Sequence, residues 1–159
     1  MTIENQVGRL NHAVEDLAAG VDSLDSGRLL DRLGGWSPRD IVAHLVGWNR
    51  HVIEGSRQIR RGELPFYDLD PGQDYAEVNA ALVRDYPSSE PGELLDELRA
   101  SAGELADFLR SLDPEDWSRD FGVRNRDALV TIENTIEELI ADYDHHRVQI
   151  EIWAASAPA

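Results

Sequence analysis

The sequence predicts an all-α chain, a four-helix bundle with one long crossover between its second and third long helices. Three observations carry this expectation. Apolar residues recur at alternating spacings of three and four along four long stretches, two helix starts are written as a capping residue followed by Pro, and no stretch alternates like a half-buried strand. Residues 1–159 are expected to form a single domain, long enough to bury a core.

The first helix is expected from about Ile3 to Ala19, on the spacing of Ile3, Val7, Leu10, Val14, Leu17 and Val21. A short helix is expected at Arg28 to Leu33. In "GGWSPRD", Ser37 is an N-cap, Pro38 occupies the first helical position and Asp40 can close the capping box, which launches the second helix as far as Arg61. The connection from Gly62 to Glu90 holds "ELPFYDLDPGQ" and then "DYAEVNAALVRDY", an extra short helix. So long an excursion is usually functional or crosses over a bundle. The third long helix runs from Pro91 to about Leu112, and "LDPEDW" repeats the start signal at Asp113 and Pro114. The fourth is expected over Ala128 to Ala155.

Composition excludes several functions. The formal charge is −16, with 31 acidic residues against 15 basic ones, all Arg. A chain that neutralises phosphates needs a positive face, so neither nucleic acid nor an anionic membrane is an expected partner. Acidic, lysine-free surfaces suit GC-rich or salt-tolerant genomes; steering of a cationic ligand is the functional alternative. There is no Cys, which removes disulfides, thiolate metal sites and a cysteine nucleophile. "MTIENQVGRL" lacks a basic head and an apolar core, so a cytoplasmic location is expected.

The histidines are not equivalent. Ile132, Ile136, Leu139, Tyr143, His146, Ile150 and Trp153 follow one another at four, three, four, three, four, three, an unbroken bundle seam. His146 lies in that seam. Asp142 lies about 40° away at its edge, and His145 about 140° from its centre, facing solvent. Asp142 and His146, at i and i+4, can grip one ion. On the second helix the seam is Ile41, Leu45, Trp48, Val52 and Ile59, with His44 about 60° off it on the flank of Asp40 and His51. His44 and His51 stand about 10.5 Å apart along the axis, too far to share an ion unless a water bridges. The plainer alternatives stay open: a hydrogen-bonded core His146, a structural ion pair, or Asp142 paired with Arg147 or Arg124. Tyr143 and Trp48 are expected in the core, Trp36 as a hydrophobic staple, and Phe66 and Tyr67 as a packed connection or a lid. His51 is expected as a neighbouring or surface group, and His12 shows no constellation.

These residues resemble a family. "GWSPRDIVAHLVGW" is similar to the opening of helix two in the DinB/YfiT-like four-helix bundles, where Trp-Ser-Pro leads to a metal-binding His before Leu. "DYDHHRVQIEIW" is similar to their closing helix, which carries His-x-x-x-His followed by Arg-Gly-Gln. The resemblance implies metal ligands at His44, Asp142 and His146, with Arg147 and Gln149 on the trailing Arg and Gln. Asp142 stands where the common pattern has His, and Val148 where it has Gly. The stretch from Asp74 to Leu112 looks most like the ClbS/DfsB branch.

What this implies is a metal-dependent enzyme, a hydrolase or thiol transferase acting on a reactive or toxic small molecule. The cofactor would be a divalent Zn, Ni, Fe or Mn ion, since two imidazoles and a carboxylate suit each of them. The alternative is a metal-free ligand-binding or drug-sequestering resistance protein of the ClbS/DfsB kind. A small-molecule substrate is the expected partner, with a homodimer compatible with the apolar positions left on helices one and three.

Overall fold

The computed structural model describes residues 1–69 and 74–156; the "DPGQ" stretch of the long connection, 70–73, lies outside them. Four long helices form the bundle: α1 (Ile3–Asp22), α2 (Pro38–Arg60), α4 (Pro91–Ser111) and α6 (Ile132–Ala155). Between them lie α3 (Ala76–Asp85), the single turn α5 (Pro114–Trp117) and a small hairpin of β1 (Arg124–Asn125) and β2 (Ala128–Leu129). Leu10, Leu17, Leu45, Leu98, Leu105 and Ile136 are fully enclosed at the bundle's centre. Among the described residues no helix is long and apolar enough to cross a membrane.

Each of α1 and α2 packs against both α4 and α6, so α1 and α2 lie on a diagonal. Cross-helix pairs fix the directions. Arg110 meets Glu4 and Arg99 meets Glu15, so α1 and α4 run antiparallel. Asn49 bonds Ser101 while Arg39, ten residues earlier, reaches Ser88, so α2 and α4 run parallel. That explains the long crossover. A chain leaving the end of the 23-residue α2 must travel back about 34 Å before α4 can start beside it. The return path carries a 3₁₀ turn (Phe66–Leu69) and α3 along the flank of α2.

Two α2 glycines seat this return path. A Cβ on Gly47 would collide with the Leu82 side chain of α3, and one on Gly55 with the Tyr67 ring. Glycine inside a helix costs about 1 kcal/mol relative to Ala, which close approach here offsets. Arg39 then pins the far end, donating to the carbonyls of Val83 (2.8 Å), Tyr86 (2.7 Å) and Ser88 (3.1 Å).

Two boundaries differ from expectation. Arg28 to Leu33 is not a helix; a 3₁₀ turn at Ser26–Arg28 gives way to chain folded back on α2, with Leu33 N–H bonding Trp36 and Arg39 N–H bonding Leu29. The fourth long helix starts at Ile132, capped by the Thr131 hydroxyl accepting from Asn134 N–H (3.1 Å), because Ala128 and Leu129 pair with Asn125 and Arg124. The hairpin turn holds Arg126 and Asp127 at φ 49° and 67°. A two-residue turn of that hand is normally announced by Asn-Gly, which this sequence lacks.

Gly55→Ala is expected to lower stability by about 1–3 kcal/mol through overpacking against Tyr67. Gly103→Ala on α4, where an added Cβ meets nothing within 4 Å, is expected to raise it by about 0.4–1 kcal/mol. Urea unfolding of the two variants checks both signs.

Candidate metal centre and adjoining cavity

The Ser37–Asp40 capping box fixes the first turn of α2: Ser37 Oγ accepts from Asp40 N–H (3.2 Å) and Asp40 Oδ2 accepts from Ser37 N–H (3.3 Å). One turn further on stands His44. Facing it, α6 is locked in register by a buried polar chain. The Tyr143 hydroxyl donates to Asn49 Oδ1 (2.8 Å), and Asn49 Nδ2 donates to Ser101 Oγ on α4 (3.0 Å). Tyr143 is 1% exposed, so the core placement expected for it holds and its hydroxyl is paired.

With the register set, His44, Asp142 and His146 converge, each offering a ligand atom within 4.8 Å of the others. His44 Nε2–H donates to Asp142 Oδ2 (2.9 Å), and His146 Nε2 faces Asp142 Oδ1 at 3.4 Å. The two imidazoles are buried, 4% and 8% exposed, while the Asp142 side chain is 37% exposed at the seam's edge. His145 is exposed, as its helical angle requires. Burial alone would push the Asp142 carboxyl up, but the His44 hydrogen bond and the two imidazoles outweigh it and hold it below the usual carboxylate range. Burial likewise pushes His146 down, against the pull of Asp142, and favours the neutral ring.

The donor set fits a divalent ion. Gln149 Oε1 accepts from His146 Nδ1–H (3.0 Å), a tautomer that leaves the Nε2 lone pair aimed at the Asp142 carboxylate. Lone pair and anion repel unless a cation lies between them. Around His44 only one proton separates Nε2 from Asp142, and a metal ion would replace it. His44 Nδ1 is buried with no hydrogen-bond partner among the described residues. Arg147 pairs with Glu151 and Arg124 with Asp120, so neither neutralises Asp142.

A cavity of about 400 Å³ opens beside the cluster. Trp36 reaches over it, its ring 4.9 Å from that of His44 and 6.2 Å from that of His146. Trp36 does stand just before the helix cap, but its ring covers the site, which the staple reading did not include. Trp48 is buried as expected and also forms cavity wall, its indole N–H donating to Asn79 Oδ1 on α3 (2.6 Å). Tyr67 and Tyr75 stack edge-on against Trp48 at 4.9 and 5.4 Å. Tyr75 caps α3 at φ 60° and donates its hydroxyl to Asp68 Oδ1 (2.7 Å). His51 lies away from the cluster, between Trp48 and Phe66, and burial lowers its pKa. Thr135 and Glu138 line the cavity and were not anticipated, although Thr135, Glu138, Asp142 and His146 form a polar stripe at spacings of three, four and four.

Comparison with known proteins gives the family. The DinB superfamily profile matches residues 6–150. Among solved structures, the fold matches the colibactin self-resistance protein ClbS, solved in complex with a dsDNA, at TM-score 0.80 and 15% identity over 99% of this chain and 98% of that one. It matches the sibling lethal factor precursor DfsB at TM-score 0.72 and 17% identity, covering 96% and 95%. The mycothiol-dependent maleylpyruvate isomerase matches at TM-score 0.70 and 17% identity, covering 94% of this chain and 61% of that one. At such identities the likeness carries the fold alone. No curated protein matches the sequence.

The Tyr143–Asn49–Ser101 chain makes the register costly to disturb. Asn49→Ala, which strands a buried hydroxyl, is expected to cost about 2 kcal/mol or more, and Tyr143→Phe about 1 kcal/mol, in denaturant unfolding. A larger loss for Tyr143→Phe than for Asn49→Ala would contradict the network.

Proposed function

The chain belongs to the DinB superfamily, and from that premise we propose that it is a metal-dependent enzyme acting on a reactive small molecule, with a divalent ion held by His44, Asp142 and His146. The observation that carries the reading is the shared focus of two buried imidazoles and a carboxylate, reached from an aromatic-walled cavity. A divalent ion at such a set supplies Lewis acidity, polarising an electrophile or lowering the pKa of a nucleophile's proton. Two imidazoles with one carboxylate suit Fe(II), and also Zn, Ni or Mn.

The chain's own residues account for the rest of the work. Gln149 holds His146 in the ligating tautomer. The Asn49–Tyr143 bond keeps α2 and α6 in the register that brings His44 to Asp142. Trp36 and Trp48 pack against the His44 imidazole and shield it from bulk water, which strengthens its electrostatic contacts. Reaction by hydrolysis and reaction by thiol transfer both fit this arrangement.

One observation supports a second reading, a metal-free binding or sequestering resistance protein. His44 already donates to Asp142 at 2.9 Å, so a proton alone can close that half of the cluster. The dsDNA belongs to the ClbS structure. For this chain a small molecule is the better-supported ligand, because the net charge is −16 and among the described residues no Arg lines the cavity.

Elemental analysis of protein purified without a histidine tag separates the two readings. The enzyme reading expects about one equivalent of a transition metal per chain, falling at least about tenfold in His146→Ala and His44→Ala variants that keep their helical circular dichroism. A metal-free parent that still confers resistance on cells challenged with electrophilic drugs would favour sequestration.

A further inference from the structure

The cavity's walls carry a charge pattern that the metal reading does not use. Beyond Asp142, two carboxylates line it among the described residues, Asp74 and Glu138, and no Arg does, in a chain that holds 15. Arginines elsewhere are largely committed to acids across the bundle surface. Glu137, one residue from Glu138, takes Arg9, whereas Glu138 makes no ion pair among the described residues. Burial and then the nearby Asp68 carboxylate push Glu138 upward. Both effects disfavour the charged carboxylate, and a cation bound beside it would offset them.

A second, independent observation comes from Tyr67. Its ring is 5% exposed and its hydroxyl is buried at the cavity wall with no hydrogen-bond partner among the described residues. The bare Gly55 backbone is what allows the ring to lie there. Burial, then Asp68, Tyr75 and Glu138, push the hydroxyl upward against a weaker downward pull from Thr135, so it stays a neutral O–H. Around it, Trp48 and Tyr75 present aromatic surface at 4.9 and 6.2 Å between centroids. Aromatic faces carry negative potential and attract cations.

We infer that the cavity selects a small organic cation, an ammonium-bearing molecule about the size of a substituted aromatic ring, lodged against Trp48, Tyr67 and Tyr75 with Glu138 as its counter-charge. An ammonium offers three N–H donors to the Glu138 carboxylate and a positive charge to the aromatic faces beside it. The same carboxylates repel a carboxylate-bearing thiol or an anionic substrate. The overall charge of −16 concentrates cations at the mouth and speeds their entry. This narrows the proposed function at the same cavity, resting on it for the ligand's location and not for the metal.

The test is calorimetric titration of the full-length chain with three probes of matched shape: benzylammonium, benzyl alcohol and benzoate. It is run in about 0.15 M salt, so that diffuse attraction is screened beyond roughly 8 Å, with metal content measured on the same sample. Benzylammonium is expected to bind about tenfold or more tightly than benzyl alcohol, and benzoate more weakly than either. Glu138→Gln is expected to bring the cation-to-neutral ratio down to about threefold or less, with thermal melting close to the parent's. Asp107→Asn, which removes the same charge from the exposed face of α4, is expected to leave the ratio unchanged. Equal affinity for the cation and the alcohol, preference for benzoate, no binding of any probe, or a ratio insensitive to Glu138→Gln would each overturn the inference. Loss of the cation preference in metal-bearing protein sinks this inference alone. Preference kept in metal-free protein sinks the metal reading alone.

Discussion

The antiparallel contact between α2 and α6 is the constraint on which everything else rests. Its midpoint is the buried Tyr143–Asn49 hydrogen bond, tied onward to Ser101 on α4. Helices with only apolar seams can slide by a turn at modest cost, because Leu and Ile pack tolerably in several registers. A buried donor and acceptor cannot, since any slip leaves both unpaired in a dry interior. That one bond therefore converts an ordinary bundle seam into a gauge that sets His44 opposite Asp142 and His146.

The path of the chain supplies the other half of the site. Because α2 and α4 are parallel neighbours, the chain must return along the bundle between them, and the return carries Tyr67, Tyr75 and Asn79 to the cavity. Gly47 and Gly55 let that segment lie against α2, and Arg39 ties down its end. Topology and site are thus one problem: a bundle with short links only would have no material with which to wall its cluster.

Much of this was readable in advance, and the exceptions have physical causes. The four-three alternation along α6 separates inward His146 from outward His145 and puts Asp142 at the edge, where its side chain is 37% exposed. The periodicity of α1, α2 and α4 gave their buried faces equally well. His44 is buried more deeply than its wheel position implies, because Trp36 folds over it from a segment outside the helix. Periodicity describes a helix against an average partner and says nothing about a side chain arriving from a loop. Tyr67 was hidden for a similar reason: its place depends on a gap at Gly55, and a mid-helix glycine signals close approach without saying what approaches. The hairpin before α6 escaped because Arg126 and Asp127 occupy a left-handed turn with no glycine to mark it.

The central claim is that an ion belongs at the point shared by α2 and α6. Anomalous diffraction from a crystal of the untagged protein, recorded on both sides of a transition-metal absorption edge, addresses it most directly. A peak within bonding reach of His44 Nε2, an Asp142 oxygen and His146 Nε2 is the result expected. Ordered side chains at all three positions with no anomalous density between them, from protein grown and purified with the metals supplied, would contradict it.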